Sequence, residues 1–81
     1  MFFVYIIYSK KVCKKYIGQT EDLTLRLEQH NSNYFQCYTN NKGPWELIHS
    51  ESYETRSEAV LREKYLKSGS GRDWIKFTYD I

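Results

Sequence analysis

The run Phe2-Phe-Val-Tyr-Ile-Ile-Tyr8 constrains the chain more than any other segment. Its residues are β-branched or aromatic and apolar at both alternating sets of positions, which predicts a strand covered on both faces. The same run falls well short of the roughly 18 apolar residues that a membrane span needs. It also lacks a basic leading region and runs into Lys10 with no small-residue cleavage site, so it does not read as a signal peptide. The expectation is a cytoplasmic protein with no membrane partner, in which Cys13 and Cys37 are reduced thiols. Grouping those cysteines with His30 and His49 gives no zinc-finger spacing, so structural zinc is not expected.

At 81 residues the chain holds one domain, spanning 1–81, that buries roughly 60% of the surface its unfolded form exposes. Eight Tyr, four Phe and two Trp supply large rings suited to so small a core. Ser9 to Lys14 has the length and polarity of a hairpin connection, and Lys15 to Thr20 reads as the second strand. Gly18 inside that strand marks a bulge or a close backbone approach. Glu21 and Asp22 open a helix on which Leu23, Leu27 and His30 share one face, and Asn31-Ser32-Asn33 ends it. A polar, aromatic-flecked loop from Tyr34 to Pro44 follows. Trp45 to Ser52 resumes strand character, with Trp45, Leu47 and Ile48 as its core candidates. Thr55 and Glu58 form a capping box for a helix to about Lys67. Ser68-Gly69-Ser70-Gly71 breaks it, and Arg72 to Phe77 predicts a short final helix or turn. The order β-β-α-β-α plus a terminal helix gives an α+β fold: a small, mainly antiparallel three-stranded sheet flanked by helices.

Twelve Lys+Arg against ten Asp+Glu leave a net charge of +2, and the distribution says more than the total. Lys10, Lys11, Lys14 and Lys15 cluster early, and Arg62, Lys64, Lys67, Arg72 and Lys76 cluster late, which permits a basic face for a phosphate backbone. One acid stands out. Ala59, Glu63 and Leu66 recur at i, i+4 and i+7, so Glu63 points toward the apolar side of its helix. A carboxylate there must be paired, protonated or bound to a metal. The plain alternative is an ion pair with Lys67 one turn on. Tyr5 and Tyr16 read singly as core aromatics, His30 as a helix-end histidine, and Arg26 as a surface partner of Asp22 or Glu28.

Their arrangement carries more than any one of them. Phe3-Val4-Tyr5 is followed eleven positions later by Tyr16-Ile17-Gly18, then by Arg26-Leu-Glu-Gln-His30-Asn31 and by Ala59-Val-Leu-Arg-Glu63. This pattern resembles the GIY-YIG nuclease family over residues 2 to about 76, with a degenerate first tripeptide and an intact second one. The ending from Lys67 to Lys76 is most similar to the short stand-alone bacterial members, which are related to the nuclease module of the excision-repair incision subunit. The resemblance implies a metal-dependent endonuclease acting on DNA in repair or recombination. It implies that Glu63 holds a single Mg²⁺ or Mn²⁺ ion and that Arg26 neutralises the phosphate. Tyr5 or Tyr16 would handle the attacking water, assisted by His30. The Asn that many members carry after the Glu-bearing helix has no match here, where Lys67, Ser68 and Arg72 occupy the region.

Those roles suit phosphodiester hydrolysis. A divalent ion lowers the pKa of water and polarises phosphate, and Mg²⁺ is commonly held by one carboxylate plus substrate oxygens. Arg offers parallel donors and keeps its proton. A free Tyr titrates at about 10, so a Tyr acting as base needs positive charge nearby. Lys14, Lys15, Lys67, Arg72 and Lys76 are the candidate backbone contacts. The alternative is a nucleic-acid-binding module of the same fold without activity; a protein-interaction domain using exposed Trp and Tyr has less support. A one-site nuclease cuts both strands either as a dimer or in two events.

Overall fold

The strand that is apolar on both faces lies in the middle of its sheet. In the computed structural model, which describes residues 1–32 and 42–81, β1 (Phe2–Ser9) is flanked by β2 (Lys14–Thr20) and β3 (Glu46–Tyr53) in the order β2-β1-β3. Both pairings are antiparallel. The remaining elements are α1 (Leu23–Asn31), α2 (Arg56–Lys67) and α3 (Gly69–Tyr79). This is the α+β fold expected from the sequence.

The alternation along β1 divides the core in two. Val4 and Ile6 join Ile17, Ala59 and Leu66 of α2, and Ile75 of α3. Tyr5 and Ile7 face the other way, where they pack with Trp45, Tyr16, and Leu23 and Leu27 of α1. The sheet is therefore sandwiched, with α1 on one face and the α2–α3 pair on the other. Asp22 caps α1 by accepting from the Leu25 amide, so the helix starts one residue after the expected acids. At the other end the Asn31 side chain accepts from the Trp45 amide and donates to the Trp45 carbonyl, tying α1 to the start of β3. The sequence reading gave Asn31 only a turn-forming role.

Two expectations need correction. Of the three core candidates around β3, Trp45 is buried and Ile48 packs on the α2–α3 side, but Leu47 is 40% exposed. The alternation is also broken by a register shift: Ile6 pairs with His49 while Ile7 pairs with Leu47, which leaves Ile48 as an extra residue. The second correction concerns the break after α2. Only Ser68 is non-helical, and it serves both helices: its amide bonds the Tyr65 carbonyl, and its hydroxyl oxygen accepts from the Gly71 amide. The residues Gly69 to Gly71 thus begin α3. The long loop read between Tyr34 and Pro44 falls mostly on residues 33–41, outside the described ones.

A polar network holds β3 to α2 and α3. Arg62 grips Glu51 with two bonds of 2.9 and 3.1 Å. Tyr53 donates to the same carboxylate, His49 bonds it at 2.7 Å, and the other ring nitrogen of His49 meets the Tyr79 hydroxyl. Burial pushes the Glu51 carboxyl up, but the bonds from Arg62, Tyr53 and His49 outweigh it and hold the group down at about 2. Arg62 is consequently engaged in the fold and not part of the basic face that its position in sequence suggested.

The α2–α3 corner yields a sharp test. A Cβ at Gly71 would lie 2.0 Å from the Tyr65 carbonyl oxygen and 2.5 Å from the Leu66 Cα, both backbone atoms that cannot rotate aside. Gly71→Ala is expected to destabilise the fold by about 3 kcal/mol or more, at the upper end of overpacking costs, whereas Gly69→Ala, with open space around it, should be neutral or mildly stabilising. Urea unfolding of the two variants measures both.

Candidate active site

On the α1 face, cross-strand pairing puts Tyr5 opposite Gly18, two residues along β2 from Tyr16. A Cβ at position 18 would come within 2.6 Å of the Tyr5 hydroxyl and 3.1 Å of the Tyr16 ring. The missing side chain is thus what lets the Tyr5 ring lie across β2, the close approach that a Gly inside a strand signals. Helix α1 then drops His30 onto the pair. The Tyr5 hydroxyl and His30 Nε2 are 3.0 Å apart, and the His30 ring sits 5.0 Å from that of Tyr16.

Tyr5 and His30 are each 2% exposed, so their bond replaces the water that both polar groups lose. Burial pushes His30 down, and the Arg26 charge one turn earlier on the same helix pushes it further, to about 4. The imidazole is therefore neutral near pH 7 and keeps one acceptor and one donor nitrogen. Tyr16 and Arg26 are half-buried, between this floor and solvent.

A cleft of about 540 Å³ opens at the edge strand β2, lined by Cys13, Lys14, Lys15, Tyr16, Ile17, Lys67 and Arg72. Tyr16 belongs to the α1 face, while Lys67 and Arg72 come from the end of α2 and the start of α3. The cleft thus wraps the edge of the sheet. Four of the five basic residues picked from sequence line it. The fifth, Lys76, lies one helical turn beyond Arg72 on α3 and lines a separate depression with Asp73, Phe77 and Asp80. Cys13 was missed as a wall residue. It sits in the β1–β2 turn with φ of 53°, and nothing in its sequence neighbourhood signals that placement.

Glu63 is carried by α2, and its Oε2 lies 2.8 Å from Lys67 Nζ. The plain alternative drawn from the i, i+4 spacing, a Glu63–Lys67 pair, is therefore present. Lys67 in turn lines the cleft beside Tyr16. The structure joins Tyr5, Tyr16 and His30 directly and sets Arg26 beside His30, while Glu63 pairs with Lys67, a residue of the same cleft as Tyr16.

A family model described as the GIY-YIG catalytic domain matches residues 1–79. The chain belongs to the GIY-YIG family. That family is one of nucleases, and this member keeps the Tyr16-Ile17-Gly18 tripeptide on β2. It is similar to the UPF0213 proteins of Staphylococcus aureus strains Mu3 and Mu50. Each is 38% identical over 66 residues, which cover 82% of this chain and 79% of the relative. Its fold is similar to the solution NMR structure of UPF0213 protein BH0048 from Bacillus halodurans. That match has a TM-score of 0.57 and 29% identity, and covers 98% of this chain and 84% of that one. Among the described residues, no helix of this GIY-YIG chain is long and apolar enough to cross a membrane.

The His30 environment sets a pH dependence. The folded site refuses a proton down to about pH 4, whereas an unfolded chain binds one near 6.5. The unfolded state therefore holds more protons between those values, and stability falls as pH drops from 6.5 toward 4. The Glu51 network loses its contribution only in the lower window from 4.5 to about 2. A melting-temperature series for wild type and His30→Asn is expected to show the upper decline in wild type alone.

Proposed function

We propose that this GIY-YIG chain is a divalent-metal-dependent endonuclease that hydrolyses phosphodiester bonds in DNA. The observation that carries this reading is the Tyr5–His30–Tyr16 cluster, with Arg26 at its rim, meeting a cleft walled by Lys14, Lys15, Lys67 and Arg72. A groove with one sign of charge concentrates a polyanion and orients its backbone. Lys76, on its separate depression, adds to that attraction only at a distance.

The roles follow from exposure and geometry. Tyr5 is sealed beneath the surface and engaged with His30, so it acts as the fixed floor. Tyr16 is half-buried, lines the cleft and can reach a water there, so it orients the attacking water and draws off its proton. Neutral His30 holds the tyrosine pair in place and adds no charge to the core. Arg26, which cannot lose its proton, faces the negative charge that grows on the phosphoryl oxygens.

The donor chemistry decides which ion fits. Among the described residues no three His, Cys, Asp or Glu side chains come together as a metal cage. A lone carboxylate such as Glu63 suits Mg²⁺ or Mn²⁺, which keep several waters and take further oxygens from substrate phosphate. When bound, such an ion supplies positive charge to the phosphate and acidifies water.

The test is cleavage of plasmid, branched and single-stranded DNA with Mg²⁺ or Mn²⁺, by wild type and by Glu63→Gln. Wild type is expected to cut and the variant to lose about 10²–10³-fold or more, the scale of a lost electrostatic stabiliser. Because Glu63 meets a partly exposed lysine, the variant's unfolding free energy should stay within about 0.5–1 kcal/mol of wild type. A wild type that binds DNA and cuts none of these substrates would favour the alternative, a binding module without activity.

A further inference from the structure

Lys67 is placed for two tasks that it cannot perform at once. Its ammonium rests 2.8 Å from Glu63 Oε2, yet its side chain also lines the cleft with Tyr16 and Arg72. The geometry of α2 explains both. Glu63 and Lys67 are four residues apart, with the acid N-terminal to the base, the favourable order on a helix. Lys67 is also the last residue of α2, before Ser68 turns the chain into α3. Its side chain is 48% exposed against 21% for Glu63, so the lysine is the member with room to turn. A lysine is a compact charge on a flexible four-carbon stem, and an exposed pair of this kind is weak enough to open readily.

We propose that Lys67 is a stand-in cation: it neutralises Glu63 until a divalent ion takes that carboxylate, and then turns its ammonium to the phosphate in the cleft. This rests on the reading of Glu63 as the metal-holding residue. Two cations cannot share one carboxylate oxygen without repelling each other. A displaced Lys67 therefore seeks another anion. Its neighbours along the cleft, Lys14, Lys15 and Arg72, are all basic, so the complementary group on that side is a substrate phosphate. Lys67 would thus couple the two ligands: the ion strengthens DNA binding, and by linkage DNA strengthens ion binding to the same extent. It is a positioning residue toward the metal and a binding residue toward DNA, and it occupies part of the region where the family's Asn has no match.

The experiment compares the full chain with Lys67→Met, Lys67→Arg and Glu63→Gln. Calorimetric titration with Mn²⁺ alone is expected to show about two- to five-fold tighter binding by Lys67→Met, the loss of one exposed competing pair, with Lys67→Arg close to wild type. Anisotropy of a labelled mixed-sequence DNA duplex is then followed against salt, once in EDTA and once in Ca²⁺. In Ca²⁺ the log–log slope of Lys67→Met should be about one unit shallower than wild type; in EDTA the two slopes should coincide, and Lys67→Arg should restore the wild-type slope. An unchanged or weaker Mn²⁺ affinity in Lys67→Met, or the same slope change in both media, would overturn the switch. Glu63→Gln separates the two ideas. If it loses Mn²⁺ binding, the metal reading stands whatever Lys67 does; if it binds Mn²⁺ as wild type does, that reading itself fails.

Discussion

Burial of β1 on both faces is the constraint on which everything else depends. One strand supplies Val4 and Ile6 to the α2–α3 core and Tyr5 and Ile7 to the α1 core, so a small chain obtains two apolar interfaces from a single element. The arrangement also fixes the site. Because side chains alternate with a period of two, placing Val4 and Ile6 under α2 obliges Tyr5 to point at α1. There Gly18 gives its ring room and His30 bonds its hydroxyl. A one-residue slip of β1 would exchange the two faces and dismantle core and site together.

The two faces are held by different means. The α1 face closes over the buried bond between Tyr5 and His30, with Asn31 fastening the helix end to Trp45. The α2–α3 face is closed by close backbone contact at Gly71 and by the Glu51 network that reaches Arg62, Tyr53, His49 and Tyr79. The cleft lies where these two bodies meet, around the free edge of β2. Its walls combine a strand tyrosine, two strand lysines, and the adjoining ends of two helices. Such a boundary suits a site that must admit a long, stiff polyanion without unpacking either core.

The sequence exposed most of this because its strongest signals are periodic. Both hairpin strands, the capped α2 and the shared face of Leu23, Leu27 and His30 are local patterns, and each corresponds to an element or a packed face. What escaped depends on contacts distant in sequence. The bulge at Ile48 is a register event that no local pattern encodes. Gly69 and Gly71 read as helix breakers, yet Gly71 is required by the approach of α2, which only the folded chain reveals. The engagement of Arg62 with Glu51, and the placement of Lys76 one turn beyond the cleft, likewise depend on how α2 and α3 pack against the sheet. Tyr5, Tyr16, Arg26 and His30 were legible as a set because the family pattern names them; that Tyr5 is sealed while Tyr16 is half open was not.

That difference between the tyrosines is the most direct handle on the account, whose central claim is that Tyr5 builds the site and Tyr16 works in it. The measurement is single-turnover DNA cleavage with Mg²⁺, paired with thermal unfolding, on Tyr5→Phe and Tyr16→Phe. Removing the Tyr5 hydroxyl breaks its bond to the buried His30 Nε2, so that variant should lose about 0.5–1.5 kcal/mol of stability while retaining measurable cleavage. Tyr16→Phe should stay folded and lose cleavage by about 10²-fold or more, the scale of a lost general base. The opposite pattern, a stable Tyr5→Phe that no longer cuts beside a Tyr16→Phe that cuts at the wild-type rate, would contradict it.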